Sequence, residues 1–272
     1  MNKLEFTKMH GAGNDFIMID DMDLGFKNDP GLISALCEFH RGIGADGIIL
    51  LRPSDTDDFA MKYFNSDGSE AEMCGNGARC TAYYALKRGI AGRTMTFSTG
   101  AGPVSAEVND ESVLIRLEPV HGLRLGLKLP GEITAGFAIS GVPHAAIIVD
   151  DARSLDKDRF IETSRAVRYD STFEPAGTNV NILTVESRQR LVYRTYERGV
   201  ENETLACGTG ALGVSVITAH LGLVTPPVEC ETSGGDILVT SFEVVDGGAA
   251  NCSLTGPVRT AFMGSTDISW YI

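Results

Sequence analysis

The 272-residue sequence predicts a mixed α/β fold of the α+β type, written twice along the chain, and three observations carry that prediction. First, Glu72-Met73-Cys74-Gly75-Asn76-Gly77-Ala78 returns as Leu205-Ala206-Cys207-Gly208-Thr209-Gly210-Ala211. Second, each copy opens a helical stretch that reaches a glycine, Gly89 or Gly222, after the same 15 positions, and a further glycine turn, ending at Gly102 or Gly235, after the same 28. Third, the stretch 210–221 contains no Asp, Glu, Lys or Arg. A helix that is apolar or small on every side is buried all round, which calls for a sheet curled about it.

The elements repeat in the same order. Residues 16–20 read as a strand after a polar loop, and 146–150 as its counterpart after Gly141-Val142-Pro143-His144; both run into an Asp-Asp pair. Helical periodicity follows over 30–40 and 157–168. Apolar strands at 47–51 and 181–185 then turn into second strands, 60–65 and 191–197, as hairpins. After the Cys-Gly phrases come helices 77–88 and 210–221, with Gly89 and Gly222 as C-cap glycines. Strands 95–99 and 228–232, glycine turns 100–102 and 233–235, and hairpin turns at Asn109-Asp110 and Asp246-Gly247 complete both copies. Two domains are therefore expected, 1–118 completed by 260–272 and 119–259, with the Gly- and Leu-rich segment 119–136 as linker.

A formal charge of −13 argues against nucleic acid or an anionic membrane as partner, since no basic face could outweigh that field; a small-molecule substrate remains. Residues 1–10 lack the apolar core of a signal peptide and no apolar run reaches transmembrane length, so a cytoplasmic protein is expected. Six cysteines without C-x-x-C spacing and five scattered histidines suit neither a disulfide scaffold nor a zinc site, and no metal is expected. Cys37, Cys80, Cys230 and Cys252 lack glycine neighbours and are expected in the core. The segment Gly42-Ile43-Gly44-Ala45-Asp46-Gly47 matches G-x-G-x-x-G, but it follows a helix and precedes a strand, the reverse of a dinucleotide site.

The twin cysteines have a chemistry. Inverting a carbon centre needs a base on one face and an acid on the other, with roles exchanged in reverse, so two like groups serve. A helix N-terminus lowers a thiol pKa, allowing one thiol and one thiolate near neutral pH. Gly75-Asn76-Gly77 and Gly208-Thr209-Gly210 let backbone N–H groups approach an anion, such as a carboxylate gaining enediolate character. Neither phrase holds a lysine for a pyridoxal Schiff base, and no cofactor is expected. The plainer alternative is a pair of buried core cysteines.

Five segments in order, KMHGAGNDF at 8–16, FHRGIGADG at 39–47, YFNSDGSEAEMCGNGARC at 63–80, GTNVN at 177–181 and YERGVENETLACGTGA at 196–211, make the chain resemble the diaminopimelate epimerase family over nearly its full length. Those are pyridoxal-independent isomerases that interconvert LL and meso forms of a lysine precursor. The resemblance implies two pseudosymmetric domains, each a curled mixed or antiparallel sheet around a central helix, with substrate held in the cleft between them, and a homodimer. It implies Cys74 and Cys207 as catalytic pair, with His144 and Glu197 beside them. It implies substrate binding by Asn14, Asn65, Asn179, Glu197 and Arg198 and by the anion loops Gly75-Asn76 and Gly208-Thr209. Arg198 suits a distal carboxylate as a bidentate partner. Many members have Gly-Asn-Pro-His where this chain has Gly141-Val142-Pro143-His144, so one polar contact to the distal end of the substrate is missing or replaced. A racemase of another amino acid, or a non-catalytic amino-acid-binding module, are the alternatives.

Overall fold

The computed structural model describes residues 3–271. In chain order the elements are β1 (Lys3–Gly11), β2 (Asn14–Asp20), α1 (Pro30–Cys37), β3 (Gly47–Arg52), β4 (Phe59–Asn65), β5 (Glu70–Ala71), α2 (Gly75–Arg88), β6 (Thr94–Thr99), β7 (Gly102–Asn109) and β8 (Ser112–Arg116). They continue as β9 (His121–Leu129), β10 (Ile133–Ser140), β11 (Val142–Ile148), α3 (Lys157–Arg168), β12 (Asn179–Ser187), β13 (Arg190–Glu197) and β14 (Asn202–Thr204). Last come α4 (Gly208–His220), β15 (Val228–Glu231), β16 (Ile237–Val245), β17 (Gly248–Pro257) and β18 (Arg259–Asp267). The chain divides into two units, Met1–Ile115 with Gly256–Ile272, and Arg116–Thr255, against expected boundaries at 118/119 and 259/260.

Within the first unit the strands pair in the order β18-β1-β2-β3-β4-β6-β7-β8, antiparallel except at β2/β3 and β4/β6. Within the second the order is β9-β10-β11-β12-β13-β15-β16-β17, antiparallel except at β11/β12 and β13/β15. The two topologies coincide strand for strand, and β5 and β14 are matching short additions to β4 and β13. A parallel neighbour requires a crossover, and each of the four parallel pairs has its helix: α1, α2, α3 and α4 in turn.

Those helices take opposite faces of each sheet. Leu32, Ile33, Leu36 and Cys37 of α1 pack with Ile17, Ile19, Ile48 and Leu50 on one face, and Phe160 and Val167 of α3 pack with Ala145, Ile147, Val180 and Ile182 in the other unit. On the opposite faces α2 lies against β1, β2, β3, β4 and β7, and α4 against β10, β11, β12, β15 and β16. Helix α4 is buried at every residue from Gly210 to Thr218. Its hydroxyls bond inward: Ser215 Oγ donates to Ala211 O at 2.8 Å and Thr218 Oγ1 to Val214 O at 2.7 Å, so burial leaves no orphaned hydroxyl there.

Two sequence expectations change, and one strand appears where none was expected or excluded. Segment 119–136 is not a linker: it forms β9 and the start of β10, the opening hairpin of the second unit. Leu123, Leu125, Leu127 and Leu129 alternate with polar or glycine residues at the strand period of two, a signal the glycines obscured. Residues 3–11, mixed in charge, form β1. Helix α1 stops at Cys37 rather than near residue 40, because the chain folds back on it: the N–H groups of Ile43 and Gly44 both donate to Leu36 O, at 2.8 and 3.2 Å. A Cβ on Gly42 would lie 2.3 Å from Ala35 O, so the glycine motif caps a helix C-terminus.

Candidate active site

Helices α2 and α4 begin alike. Cys74 is the N-cap of α2, with φ −138° and ψ 122°, and its Sγ accepts from Gly77 N–H at 3.5 Å. Cys207 is the N-cap of α4, with φ −127° and ψ 108°, and its Sγ accepts from Gly210 N–H at 3.4 Å. Each sulfur thus takes the place that a Ser or Asp oxygen takes in an ordinary cap. The glycines after the cysteines are needed for close approach: a Cβ on Gly77 would lie 2.8 Å from Ile49 Cδ1, and one on Gly210 would lie 2.7 Å from Asn181 Oδ1 and 3.2 Å from the Cys207 sulfur.

Register across the sheets shows what surrounds each sulfur. Phe16, Gly47 and Asn65 form one row across β2, β3 and β4. His144 and Asn179 pair across β11 and β12, and the pairing of Val180 with Tyr196 sets Asn179 beside Glu197. Equivalent positions therefore carry Phe16 and His144, Gly47 and Asn179, Asn65 and Glu197, and, two residues earlier, Asn14 and Val142. The caps match, but their surroundings differ.

Around Cys74, the thiol lies 3.4 Å from Asn14 Oδ1, which also accepts from Asn76 Nδ2 at 3.3 Å. The other end of the Asn14 amide donates to Asp46 Oδ2 at 2.6 Å. Asp46 and Asp15 exchange backbone-to-carboxylate bonds, and buried Lys8 ion-pairs with Asp15 at 2.7 Å. Asn76 Oδ1 accepts from the fully buried Arg79 at 2.8 Å, which also donates to Gly75 O at 3.2 Å. Asn65, at the end of β4, donates to Ser69 Oγ at 3.1 Å.

Around Cys207, Thr209 Oγ1 lies 3.5 Å from the sulfur and 3.0 Å from His144 Nε2. The Glu197 carboxylate lies close enough to act on the Cys207 thiol and accepts from Thr204 Oγ1 at 2.8 Å. Burial raises the Glu197 pKa. Burial first, then the Glu197 charge, pushes the Cys207 thiol well above its ordinary value. The lowered pKa expected from the helix N-terminus is therefore overturned at this sulfur, because lost hydration and a neighbouring carboxylate outweigh the dipole. His144 has no exposed surface, and burial, aided by the Arg198 charge, lowers its pKa to about 3, so it is neutral. Asn179 Oδ1 accepts from Arg198 N–H at 2.7 Å, and the Arg198 guanidinium donates to Ala176 O at 3.0 Å.

Cys74, Asn14, Gly75 and Asn76 thus gather at one helix start, and Cys207, Gly208, Thr209, His144 and Glu197 at the other, with Asn179 and Arg198 held together near the second. The sequence did not single out Lys8, Asp15, Asp46 or Arg79, nor Asn181 and Thr195 in the second unit; of these, only Asp15 and Asp46 sit inside glycine-rich loops that could have drawn notice. Among the described residues no cluster of three or more His, Cys, Asp or Glu could hold a metal ion. No helix among them is long and apolar enough to cross a membrane.

Known proteins resemble this chain over most of its length. The family model described as diaminopimelate epimerase matches residues 6–120 and 137–260, with the β9 hairpin region lying between the two matched stretches. The diaminopimelate epimerase of Aquifex aeolicus is 41% identical over 276 aligned residues, covering 96% of this chain and 97% of that protein. That of Archaeoglobus fulgidus is 40% identical, covering 86% and 88%. Among solved structures, a Bacillus anthracis phenazine biosynthesis protein of the PhzF family superposes with TM-score 0.71 at 14% identity, covering 98% of this chain and 99% of that one. A hydroxyproline epimerase from Agrobacterium vitis does so with TM-score 0.68 at 16% identity, covering 97% and 92%. At such identities the structural likeness speaks for the fold alone, that of two duplicated domains.

Proposed function

The chain belongs to the diaminopimelate epimerase family, and from that premise we propose how its residues perform the reaction. It is an isomerase that interconverts LL- and meso-diaminopimelate, a precursor of lysine. Cys74 and Cys207 are the two bases: one sulfur removes the Cα proton as thiolate while the other, as thiol, delivers a proton to the opposite face. The observation that carries this is the matched pair of N-cap sulfurs, each bonded to the third N–H of its helix.

The burial and Glu197 charge that keep Cys207 protonated make it the acid at rest, with Cys74 as the base for that stereoisomer. For the opposite stereoisomer Cys207 must lose its proton. Glu197, whose carboxylate lies beside the thiol and is itself raised in pKa, receives it: thiol plus carboxylate become thiolate plus carboxylic acid, while the partly exposed Cys74 thiolate takes a proton from water and becomes the acid. Negative charge then grows on the substrate carboxylate as the Cα–H bond breaks. The first-turn N–H groups of Gly75-Asn76 and Gly208-Thr209, at positive helix ends, stabilise it. Asn14, Asn65, Asn179 and Arg198 hold the remaining ammonium and the distal carboxylate, with Asn179 bonding the Arg198 backbone and so setting where that guanidinium starts. A cytoplasmic homodimer completes the proposal. A reducing compartment suits chemistry that requires both sulfurs unoxidised.

A second reading rests on Val142, which stands where Asn14 stands in the other unit: with that amide absent, the site could prefer a different amino acid. Both are tested by incubating purified protein with LL-diaminopimelate in deuterium oxide. Inversion and label uptake at one stereocentre are expected; inversion of another amino acid with none of diaminopimelate would favour the second reading instead.

A further inference from the structure

We propose that Asn181, whose equivalent in the first unit is the apolar Ile49, is a positioning residue for Cys207, aiming a directed train of hydrogen bonds at the sulfur through His144 and Thr209. This deepens the two-thiol reading and rests on it.

The direction of the train follows from its fixed end. Asn181 is completely buried on β12. Its side chain lies 2.9 Å from the carbonyl oxygen of Ala145, an acceptor only, so the group facing that oxygen is the amide nitrogen. The Asn181 oxygen then faces Thr195 Oγ1, which donates to it at 2.8 Å. With the amide so oriented, the same nitrogen presents a hydrogen to His144 Nδ1 at 3.2 Å. His144 is neutral and carries a single ring hydrogen. With Nδ1 accepting, that hydrogen sits on Nε2 and is donated to Thr209 Oγ1 at 3.0 Å. The Thr209 hydroxyl, having accepted, turns its own hydrogen to the Cys207 sulfur 3.5 Å away. Every bond from Asn181 onward points toward Cys207, and a donor aimed at sulfur favours the thiolate.

Of the other groups facing that sulfur, the Gly210 N–H, donating at 3.4 Å, also favours the thiolate, and the rest pull the opposite way or act elsewhere. The Glu197 carboxylate on β13 opposes the thiolate, Tyr193 donates to the Cys207 backbone carbonyl at 2.8 Å, and Arg198 acts on His144. The train lowers the cost of passing the thiol proton to Glu197 when Cys207 must be the base. In the first unit the equivalent row holds Ile49 for Asn181 and Phe16 for His144, side chains that can neither donate nor relay a hydrogen bond.

Asn181→Asp tests the direction with little change of shape. A carboxylate offers His144 Nδ1 no hydrogen, so the imidazole places its own on Nδ1, Nε2 becomes an acceptor, and the Thr209 hydroxyl turns from sulfur to His144. The measurement is iodoacetamide alkylation of Cys207, followed peptide by peptide across pH, alongside epimerisation rates in both directions. Asn181→Asp and Thr209→Val should each slow Cys207 alkylation about tenfold at fixed pH, the equivalent of one pKa unit, and leave Cys74 alkylation unchanged. They should slow the direction that uses Cys207 as base more than the other. Thr209→Ser should restore the alkylation rate, and the double variant should be no slower than Thr209→Val, because both act through one hydroxyl. Should Asn181→Asp not fold, His144→Gln takes its place in the cycle. Unchanged Cys207 alkylation in the folded single variants, or additive losses in the double, would overturn the proposal. Failure of the wild-type protein to epimerise diaminopimelate would sink the functional reading instead, while alkylation still reports on the train.

Discussion

A sulfur at an N-cap is a weak cap, since a thiol accepts a hydrogen bond less well than a hydroxyl or carboxylate, yet this chain uses one twice. The residue choice makes sense only if the atom does something beyond capping. Cys74→Ala and Cys207→Ala should each lower epimerisation by about 10²–10⁴-fold, the range of positioned acid or base groups, with helicity by circular dichroism nearly unchanged. Retained activity in both would return the cysteines to a capping role. The buried neutral His144 gives a separate stability signature. Its folded pKa is depressed to about 3, so its contribution is present above its ordinary value and lost as pH falls through that interval. Urea unfolding should therefore show stability declining below about pH 6.5 with a slope of up to about 1.4 kcal/mol per unit from this group. In His144→Gln that component of the slope should vanish; an identical slope would mean the ring charges inside the folded protein.

Helices α2 and α4 were legible because their start, length and stop all appear as residue types: a Cys-Gly phrase, a run of small and apolar residues, and a glycine. The real starts lie two residues earlier than expected, directly at the caps, and Gly89 and Gly222 do adopt left-handed φ of 71° and 74°. Hairpin β9/β10 was not legible, because its glycines at 122 and 126 read as linker although both simply sit at positive φ inside a strand of alternating leucines. The end of α1 was hidden for a different reason: only the folded-back chain shows that Gly42 lies on helix carbonyls. Gly42→Ala should cost about 1–3 kcal/mol by overpacking, read as a lower urea midpoint. An unchanged midpoint would mean the loop stands off the helix.

The duplication is the property of the whole molecule that the sequence carried best, since equal offsets survive even where residues have diverged. What it could not convey is that equivalent positions hold unlike chemistry: Phe16 against His144, Asn65 against Glu197, Asn14 against Val142. That asymmetry appears only once strand register aligns the two units. Nor did spacing alone reveal that the first unit takes its eighth strand from the end of the chain, where β18 pairs with β1 from Lys3↔Asp267 to His10↔Arg259. Deleting residues 259–272 should leave that unit with one edge of β1 unpaired and an uncovered Phe6, and the truncated protein should lose cooperative thermal unfolding of the unit; a truncation that melts like the full chain would contradict this.

The central claim is that two separate sulfurs serve the two faces of one carbon. Its most direct test is early-time labelling in deuterium oxide, starting from LL- and from meso-diaminopimelate in separate experiments. The account predicts, in both directions, product carrying solvent deuterium at the inverted carbon while recovered substrate keeps its protium, because the group that gives the proton is not the one that took it. Product that retains the substrate's own proton, or equal labelling of substrate and product from the outset, would show that one base does both jobs.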